Sequence, residues 1–496
     1  MGVVVRQSIK SVAITLAGVV MGGVVTVLST RFFPKGELGF RENLIKVSTW
    51  VSYLALFGFN YTLLIYGQRY PPGHSKRRAF LTLSALVPAM LGLLVCVLFL
   101  LASPFVENLY SPADAAMMKR YIWLFPLLAF LTGMISWMEG YLQGLHKTAL
   151  QNFAREILVR IPYISLILLY AAHIISFHSF LWWYVLLYLV PFAFLVMVAK
   201  RSPGFAFGSF KGVFTREEIK DIFAFSGYHT LTVASTVLIM QMDVFMLGPL
   251  DGFEVVAVYS IASLAVSMLR NPTRIIGVAA TPAFTKCYNE GNMAELKELF
   301  RRSAVNMQVI GVGMLALVYI NIDNIQDVMA MIKGGYDAVK PLVMILMLGQ
   351  LFDMVTGLNF ELIGVTKYYR FNFWIALVLM VVVFVLNYFL INSMGIYGAA
   401  WATTIGLAIF NIAKTVFLYR KMDMQPFGRA TVWAVCAGLG AGLPAWALPF
   451  MGNVFIDLAI RSVVFVLLFW WSLFRRRISP ELNDVTHNLI KKKKLY

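Results

Sequence analysis

The chain has 496 residues, of which 60% are hydrophobic and 13% are charged, and its mean hydropathy is +0.75. Soluble domains carry roughly a quarter of their residues as charges, so an aqueous globular fold is excluded. The net charge of +18 is spread over many short segments, which excludes a nucleic-acid-binding protein, because that class concentrates its basic residues on one surface.

Apolar stretches recur from Ile9 to Phe474. A helix needs about 20 apolar residues to cross roughly 30 Å of hydrocarbon, and lipid offers the backbone no hydrogen-bond partners. The predicted fold class is therefore all-α, a polytopic membrane protein with about 14 transmembrane helices. In chain order the predicted spans are 9–31, 43–66, 79–102, 120–144, 155–174, 179–199, 220–247, 255–281, 303–321, 341–363, 372–391, 396–418, 429–449 and 454–474.

The segments between the spans alternate in charge. One face receives 29 of the 42 Lys and Arg residues, and the opposite face receives five, one of which is Arg41. Cytoplasmic segments carry the excess of basic residues, so both termini are predicted to be cytoplasmic, in a multi-pass protein of the cytoplasmic membrane. The basic tail is expected to meet anionic lipid headgroups. The three cysteines are isolated from one another, and no metal site is predicted.

A short repeat relates two parts of the chain. The segment 144–153, which reads GLHKTALQNF, shares four residues with the segment 364–373, GVTKYYRFNF, at an offset of 220 residues. This offset pairs the first six spans with the next six in the same direction, which predicts a parallel repeat about an axis along the membrane normal. The predicted parts are an N-terminal lobe at 1–199, a cytoplasmic linker at 200–219, a C-terminal lobe at 220–418, helices 13 and 14 at 429–474 and a basic cytoplasmic tail at 475–496.

The segment Leu386–Thr403 reads LNYFLINSMGIYGAAWAT. It resembles the LN-x3-IP-x-x-GI-x-GAA-x-AT signature of the polysaccharide-transporter branch of the multidrug/oligosaccharidyl-lipid/polysaccharide exporter superfamily. The resemblance implies a flippase that moves polyprenyl-diphosphate-linked oligosaccharide across the cytoplasmic membrane by alternating access of two lobes. Its expected partners are the lipid-linked glycan and membrane lipids. The protein is expected to act as a monomer, near glycan polymerase or transferase proteins.

When the residues assigned to the segments of the two faces are set aside, eight basic residues but only four acids remain within or at the ends of the predicted spans. Charges inside a membrane usually face a partner or a wet cavity, and guanidinium groups suit a diphosphate. Arg270 and Arg274, which share one helix face, are predicted anion contacts, with pairing to an acid as the alternative. Lys46 and Arg31 join them, because the resemblance implies that helices 1, 2, 7 and 8 line the cavity. Residues near helix ends are expected to extend towards the headgroups: Arg31, Arg120, Arg160 and Lys414.

The four acids are candidates for coupling or gating. Asp353 lies near the middle of the tenth span and could carry a coupling proton or cation, or pair with a basic residue of a neighbouring helix. Asp243 is a second candidate, both for coupling and for pairing with Arg270. Glu139 and Glu361 occupy similar places before the repeated segment, which favours a cytoplasmic gate or brace. No cofactor is predicted, and the sequence leaves open coupling to an H⁺ gradient, a Na⁺ gradient or the membrane potential.

Two other functions compete with the flippase. A cation-coupled multidrug exporter of the same superfamily would favour twelve helices and a cavity dominated by acids. A membrane-embedded glycosyltransferase or polymerase would need a large extramembrane loop with carboxylates, and the longest breaks here are only about 20 residues. The sequence contains no Walker A, HExxH or EF-hand pattern, so an enzyme is not predicted.

Overall fold

In a computed structural model, the described part of the chain consists of helices and connecting segments, with no strand. The description covers residues 2–67, 69–70, 74–145, 147–202, 204–267, 269–476 and 478, without the side chains of 2–13, 16, 107, 271, 274, 275, 278 and 279. The predicted all-α membrane fold is confirmed. Most of the predicted tail at 475–496 lies outside the described residues.

The chain divides into two compact units, Met1–Ala257 and Val258–Tyr496, called unit 1 and unit 2. A π-helical segment, Ala154–Leu158, continues the eighth helix of unit 1 into the ninth. The helices that begin in unit 1 are α1 (Gly2–Phe32), α2 (Lys35–Leu56), α3 (Phe59–Tyr66), α4 (Ser75–Leu101), α5 (Ser103–Glu107), α6 (Pro112–Tyr121), α7 (Leu124–Gly144), α8 (Thr148–Phe153), α9 (Arg160–Ala171), α10 (Phe177–Leu186), α11 (Leu189–Lys200), α12 (Arg216–Asp251) and α13 (Phe253–Ser267).

Unit 1 is built around α2, which packs on α4, α7 and α12. The break between α2 and α3 falls at Phe57 and Gly58, both of which have positive φ angles. A Cβ atom on Gly58 would lie 2.4 Å from the carbonyl oxygen of Ser226 in α12, so only glycine fits this close helix approach. Buried aromatic and aliphatic side chains of α3, α7 and α12, such as Phe59 and Trp137, fill the core beside this break.

Unit 2 contains the remaining helices. The helices that begin there are α14 (Arg270–Asn289), α15 (Met293–Ile320), α16 (Ile322–Ile332), α17 (Val339–Val355), α18 (Asn359–Val365), α19 (Tyr369–Met394), α20 (Ile396–Met422), α21 (Arg429–Trp446) and α22 (Val454–Arg476). Helix α20 packs on α17 and α19, and α21 packs on α15 and α22. Gly395, with a positive φ angle, makes the tight turn between α19 and α20 in the middle of the signature segment.

Eight helices of the described chain are long and apolar enough to cross a membrane, and the bent pair α6 and α7, with an angle of 54°, makes a ninth. Two shorter apolar helices are Ala17–Phe32 and Phe253–Ser267. Every predicted span overlaps one of the observed helices or a broken pair of them. The count of fourteen spans, the repeat and the lobe boundaries stay predictions.

Candidate functional site

A charge cluster in unit 2 brings together half-buried and buried polar side chains of four helices. Asp353 of α17 accepts hydrogen bonds from Gln350 Nε2 at 3.3 Å and from Asn411 Nδ2 of α20 at 3.1 Å. The buried Gln350 also accepts a hydrogen bond from Arg270 Nε of α14, at 2.9 Å. Arg270 and Asp353 were both predicted site residues. They are joined through the side-chain amide of Gln350, which the sequence did not predict. The unit-2 charge cluster is defined as Arg270, Gln350, Asp353, Glu361, Asn411 and Lys414.

Lys414 of α20 is the most unusual member of this cluster. Its side chain is 3% exposed, and its Nζ atom lies 4.0 Å from the centroid of the Phe410 ring. The carboxylates of Asp353 and Glu361 supply the negative charges that act on it. The expectation that this ammonium extends to the headgroups was wrong, because its side chain is buried against Phe410, two turns before α20 ends at Met422.

Glu361 enters the cluster from α18. A Cβ atom on Gly277 of α14 would lie 2.8 Å from Glu361 Oε1, so the missing side chain makes room for the carboxylate against that helix. Helices α14 and α18 pack on each other. A glycine at position 277 thus lets an acid sit close to the backbone of a neighbouring helix, within range of the charge on Lys414.

A second cluster lies at the start of α2 in unit 1. The side chain of Arg41 is buried, donates a hydrogen bond to Ser29 Oγ at 2.9 Å, and also hydrogen-bonds to Tyr163 Oη and to the Glu42 carboxylate. Lys46, one turn further along, adds its positive charge beside Glu42. The unit-1 charge cluster is defined as Arg41, Glu42 and Lys46.

The sequence placed Arg41 in an outer loop, and this was wrong. Helix α2 begins at Lys35, eight residues before the predicted span, because Pro34 precedes it and Phe40 and Leu44 bury their side chains in the core. The charged residues among these turns lowered the hydropathy and hid the helix from the span prediction. Apolar residues at helical spacing were the signal that would have predicted the start of α2.

The other predicted site residues lie at separate places. Glu139 of α7 accepts a hydrogen bond from Arg155 Nε at 3.1 Å, as a brace between α7 and the π-helical segment would require. Arg31 ends α1 with an exposed side chain, and Asp243 is buried in α12. Arg274 belongs to α14, but its side chain lies outside the described residues. The roles of these residues stay predictions.

Two basic residues are neutralised on their own helices. Arg160 pairs with Glu156 at 2.6 Å, and Arg461 pairs with Asp457 at 2.6 Å, in both cases four residues apart. The expectation that Arg160 reaches the headgroups was wrong for this reason. The predicted surplus of positive charge is smaller than the sequence indicated, since acids that lie in helices, Glu156 and Asp457, were not counted against it.

An apolar groove of about 650 Å³ lies between α15, α17 and α21 of unit 2. Its lining carries no charged side chain, and Tyr319 and Trp446 are the residues there with a polar side-chain atom. Gly438 and Gly442 of α21 line one side of the groove and have no side chain to fill it. Small-molecule sites occupy roughly 300–1,000 Å³, so the groove has the size and the chemistry to hold part of a lipid chain.

Comparison with known families gives two matches. Residues 4–288 match the family described as polysaccharide biosynthesis protein, and residues 230–391 match the MatE family. A relative, an uncharacterised membrane protein of Methanocaldococcus jannaschii, is 21% identical over 495 residues, which cover 94% of this chain and 95% of the relative.

Solved structures share the fold. The lipid II flippase MurJ in an inward closed conformation has a TM-score of 0.73 at 12% identity and covers 96% of this chain and 100% of its own. An inward-facing multidrug resistance MATE family transporter has a TM-score of 0.64 at 13% identity, over 84% of this chain and 98% of its own. A transporter of the same superfamily from Pyrococcus furiosus, described as having a binding pocket of reverse polarity, has a TM-score of 0.57 at 14% identity, over 85% and 95%.

Proposed function

The chain belongs to the polysaccharide biosynthesis protein family, in the polysaccharide-transporter branch of its exporter superfamily, and we propose that it flips polyprenyl-diphosphate-linked oligosaccharide across the cytoplasmic membrane by alternating access. The observation that carries the proposal is the apolar groove of unit 2. Both termini are proposed to be cytoplasmic, as the distribution of basic residues predicts.

A lipid-linked glycan presents two chemically different parts to its carrier. Its long hydrocarbon chain must stay in an apolar environment while its diphosphate and sugars cross the membrane. The groove between α15, α17 and α21 offers the hydrocarbon chain of the substrate an uncharged surface. Packing contacts with this surface replace the contacts of the hydrocarbon with lipid tails.

The groove lies largely outside both family matches. The polysaccharide biosynthesis match ends at residue 288, before α15 begins at Met293, and the MatE match ends at residue 391, before α21 begins at Arg429. The support for a lipid-linked substrate is therefore the uncharged lining of the groove itself.

The diphosphate requires cationic contacts as well as an apolar groove. We keep Arg31, Lys46, Arg270 and Arg274 as the proposed anion contacts, since guanidinium and ammonium groups are the donors that diphosphates bind. The side chain of Arg270 is held by Gln350, which orients the guanidinium group at the start of α14.

The groove can be tested by filling it. The full chain is reconstituted in vesicles with a fluorescent polyprenyl-diphosphate oligosaccharide, and the label that reaches the outer leaflet is quenched by a membrane-impermeant reagent. Gly442→Phe places a ring in the groove, where the nearest atom to an added Cβ is Ile320 Cγ2 at 4.0 Å. Gly440→Phe is the matched control, because Gly440 lies outside the groove and has nothing within 4 Å of an added Cβ.

We expect Gly442→Phe to slow flipping by about tenfold or more, and Gly440→Phe to leave the rate unchanged. Equal rates for both variants and the wild type would remove the groove from the substrate path. Absence of flipping by the wild type for every polyprenyl-diphosphate glycan, together with export of cationic drugs, would instead establish the multidrug exporter.

A further inference from the structure

Aromatic rings and hydroxyl groups form an exposed strip on unit 1. The strip is defined as Tyr61 of α3 with Tyr228, His229, Thr232 and Thr236 of α12, and is called the aromatic–hydroxyl strip. The rings of Tyr61 and His229 stack, with 4.3 Å between their centroids and 15° between their planes. Tyr61 is nevertheless 40% exposed and Tyr228 is 70% exposed, and both threonines are exposed as well.

Helical spacing gathers the hydroxyl groups of α12 on one face of that helix. Tyr228, Thr232 and Thr236 recur every four residues, so their side chains lie above one another. Ser226 and Ala234, on the opposite face, are buried in unit 1. The polar residues of the strip therefore belong to the open side of α12.

The strip lies at membrane depth. Thr232 comes 16 residues after Arg216, where α12 begins, and 19 residues before Asp251, where it ends, so it is about 24 Å or more from either end. A belt of tyrosines at the membrane interface does not account for this position. Among the residues that the structure describes, the phenol hydroxyls of Tyr61 and Tyr228 have no hydrogen-bond partner. Polar groups at this depth face a wet cavity rather than lipid, so the strip marks an aqueous path.

The chemistry of the strip suits a neutral sugar. A pyranose ring has faces of C–H groups, which pack on aromatic rings, and hydroxyl groups at its edges. The hydroxyls of Thr232 and Thr236 donate to the carbonyl oxygens of Tyr228 at 2.9 Å and of Thr232 at 2.8 Å. Because each proton is used in this way, each hydroxyl oxygen keeps its lone pairs to accept a hydrogen bond from a sugar. Between Asp221 and Asp243, α12 contains no Lys, Arg, Asp or Glu residue, so this stretch offers no fixed charge to a cation or a diphosphate.

We propose that the aromatic–hydroxyl strip binds the pyranose rings of the glycan, with Tyr61 as the stacking partner and Thr232 as a hydrogen-bond acceptor. This inference rests on the proposed function, because it assigns the sugar part of that substrate. His229 and Phe225, one turn apart on α12, orient the Tyr61 ring, since both of their rings lie within 15° of its plane. Ring faces and hydroxyl acceptors suit many sugars, so the strip selects carbohydrate as a class.

Binding of two lipids by the purified full chain in detergent micelles separates the sugars from the rest of the substrate. One radiolabelled probe is a polyprenyl diphosphate that carries a trisaccharide of neutral hexoses, and the other is the same polyprenyl diphosphate without sugar. Dissociation constants are measured by scintillation proximity for the wild type, Tyr61→Leu, Tyr61→Phe and Thr232→Val. Trp183→Leu is the matched control, because it removes another exposed ring, from α10 of the same unit.

We expect Tyr61→Leu to weaken binding of the glycosylated lipid by about fivefold or more and to leave binding of the sugar-free lipid unchanged. Tyr61→Phe keeps the ring and should bind both lipids as the wild type does. Thr232→Val keeps the shape of the side chain without its acceptor, and should weaken binding of the glycosylated lipid alone by about threefold. The Trp183→Leu control should bind both lipids as the wild type does.

Two results would overturn the inference and leave the flippase in place. One is a wild type that prefers the glycosylated lipid while Tyr61→Leu and Thr232→Val retain that preference in full. The other is an equal loss of affinity for both lipids in these variants, which would show that the strip acts on the lipid or on packing. A wild type that binds neither lipid but binds the drug-like cation tetraphenylphosphonium would overturn the proposed function together with the inference. If Tyr61→Leu does not fold, Thr232→Val decides.

Discussion

Replacing Asp457 by alanine is expected to loosen the last two helices of unit 2. The carboxylate is 1% exposed and accepts three hydrogen bonds, from Arg461 Nε at 2.6 Å, Asn324 Nδ2 at 2.6 Å and the backbone nitrogen of Met451 at 3.2 Å. It thereby joins α16, α22 and the segment between α21 and α22. Loss of this group removes contacts that no other residue in the cluster can supply.

The magnitude follows from what the substitution leaves behind. Arg461 keeps its bonds to the carbonyl oxygens of Trp446 at 2.6 Å and Leu448 at 2.7 Å, and its side chain is 13% exposed, so its charge loses its counter-ion while it stays largely buried. Removing one partner of a buried ion pair costs about 3–5 kcal/mol. Replacing both partners by apolar residues is often nearly neutral, so Asp457→Ala with Arg461→Met should cost less than Asp457→Ala alone.

The assay is an unfolding titration in mixed detergent micelles, with a thiol-reactive dye that reports exposure of the buried Cys287, in a background in which the half-buried Cys96 and the exposed Cys436 are replaced by serine. The wild type, both single variants and the double variant complete a double-mutant cycle. A loss of less than about 1 kcal/mol in the free energy of unfolding for Asp457→Ala would refute the reasoning, because that is the value of a solvated surface pair. A double variant that is less stable than either single variant would refute it as well.

Two further substitutions test packing and exposure with the same titration. Gly398→Ala should cost about 1–3 kcal/mol or more, since the added Cβ would lie 1.9 Å from the carbonyl oxygen of Leu390 and would force α19 and α20 apart; an unchanged midpoint would show that this close approach is absent. Glu139→Gln should cost no more than about 1 kcal/mol, because its partner Arg155 is 60% exposed and exposed ion pairs contribute little; a larger loss would contradict this reasoning.

The helical membrane fold could be predicted from hydropathy because each span is satisfied by its own backbone hydrogen bonds. The ends of the helices could not be predicted where charged residues lie inside a helix. Arg41 is the clear case: an average over many residues registers the charges of the first turns of α2, whereas the buried faces of Phe40 and Leu44 decide where the helix begins.

The candidate site was predictable in part. Arg270 and Asp353 stand out in any reading of the sequence, because charges are rare in apolar spans. Their connection through Gln350 could not be predicted, since it depends on the side-chain geometry of two helices that are separated by 80 residues in the chain. The pairs of Glu156 with Arg160 and of Asp457 with Arg461 could have been found, because four residues is one helical turn.

The way in which each basic side chain within a helix is compensated separates structural from functional charges. Arg160 and Arg461 carry an acid one turn earlier on the same helix, so each pair enters the membrane as a neutral unit and stays neutral however its helix moves. Lys414 has no acid within one turn on α20, and its compensation comes from α17 and α18. Any shift of α20 against those helices therefore changes the energy of its ammonium, whereas the ion pair of Asp457 with Arg461 moves with α22 as one unit. A transporter that links charge to helix movement would place the responsible group where Lys414 lies.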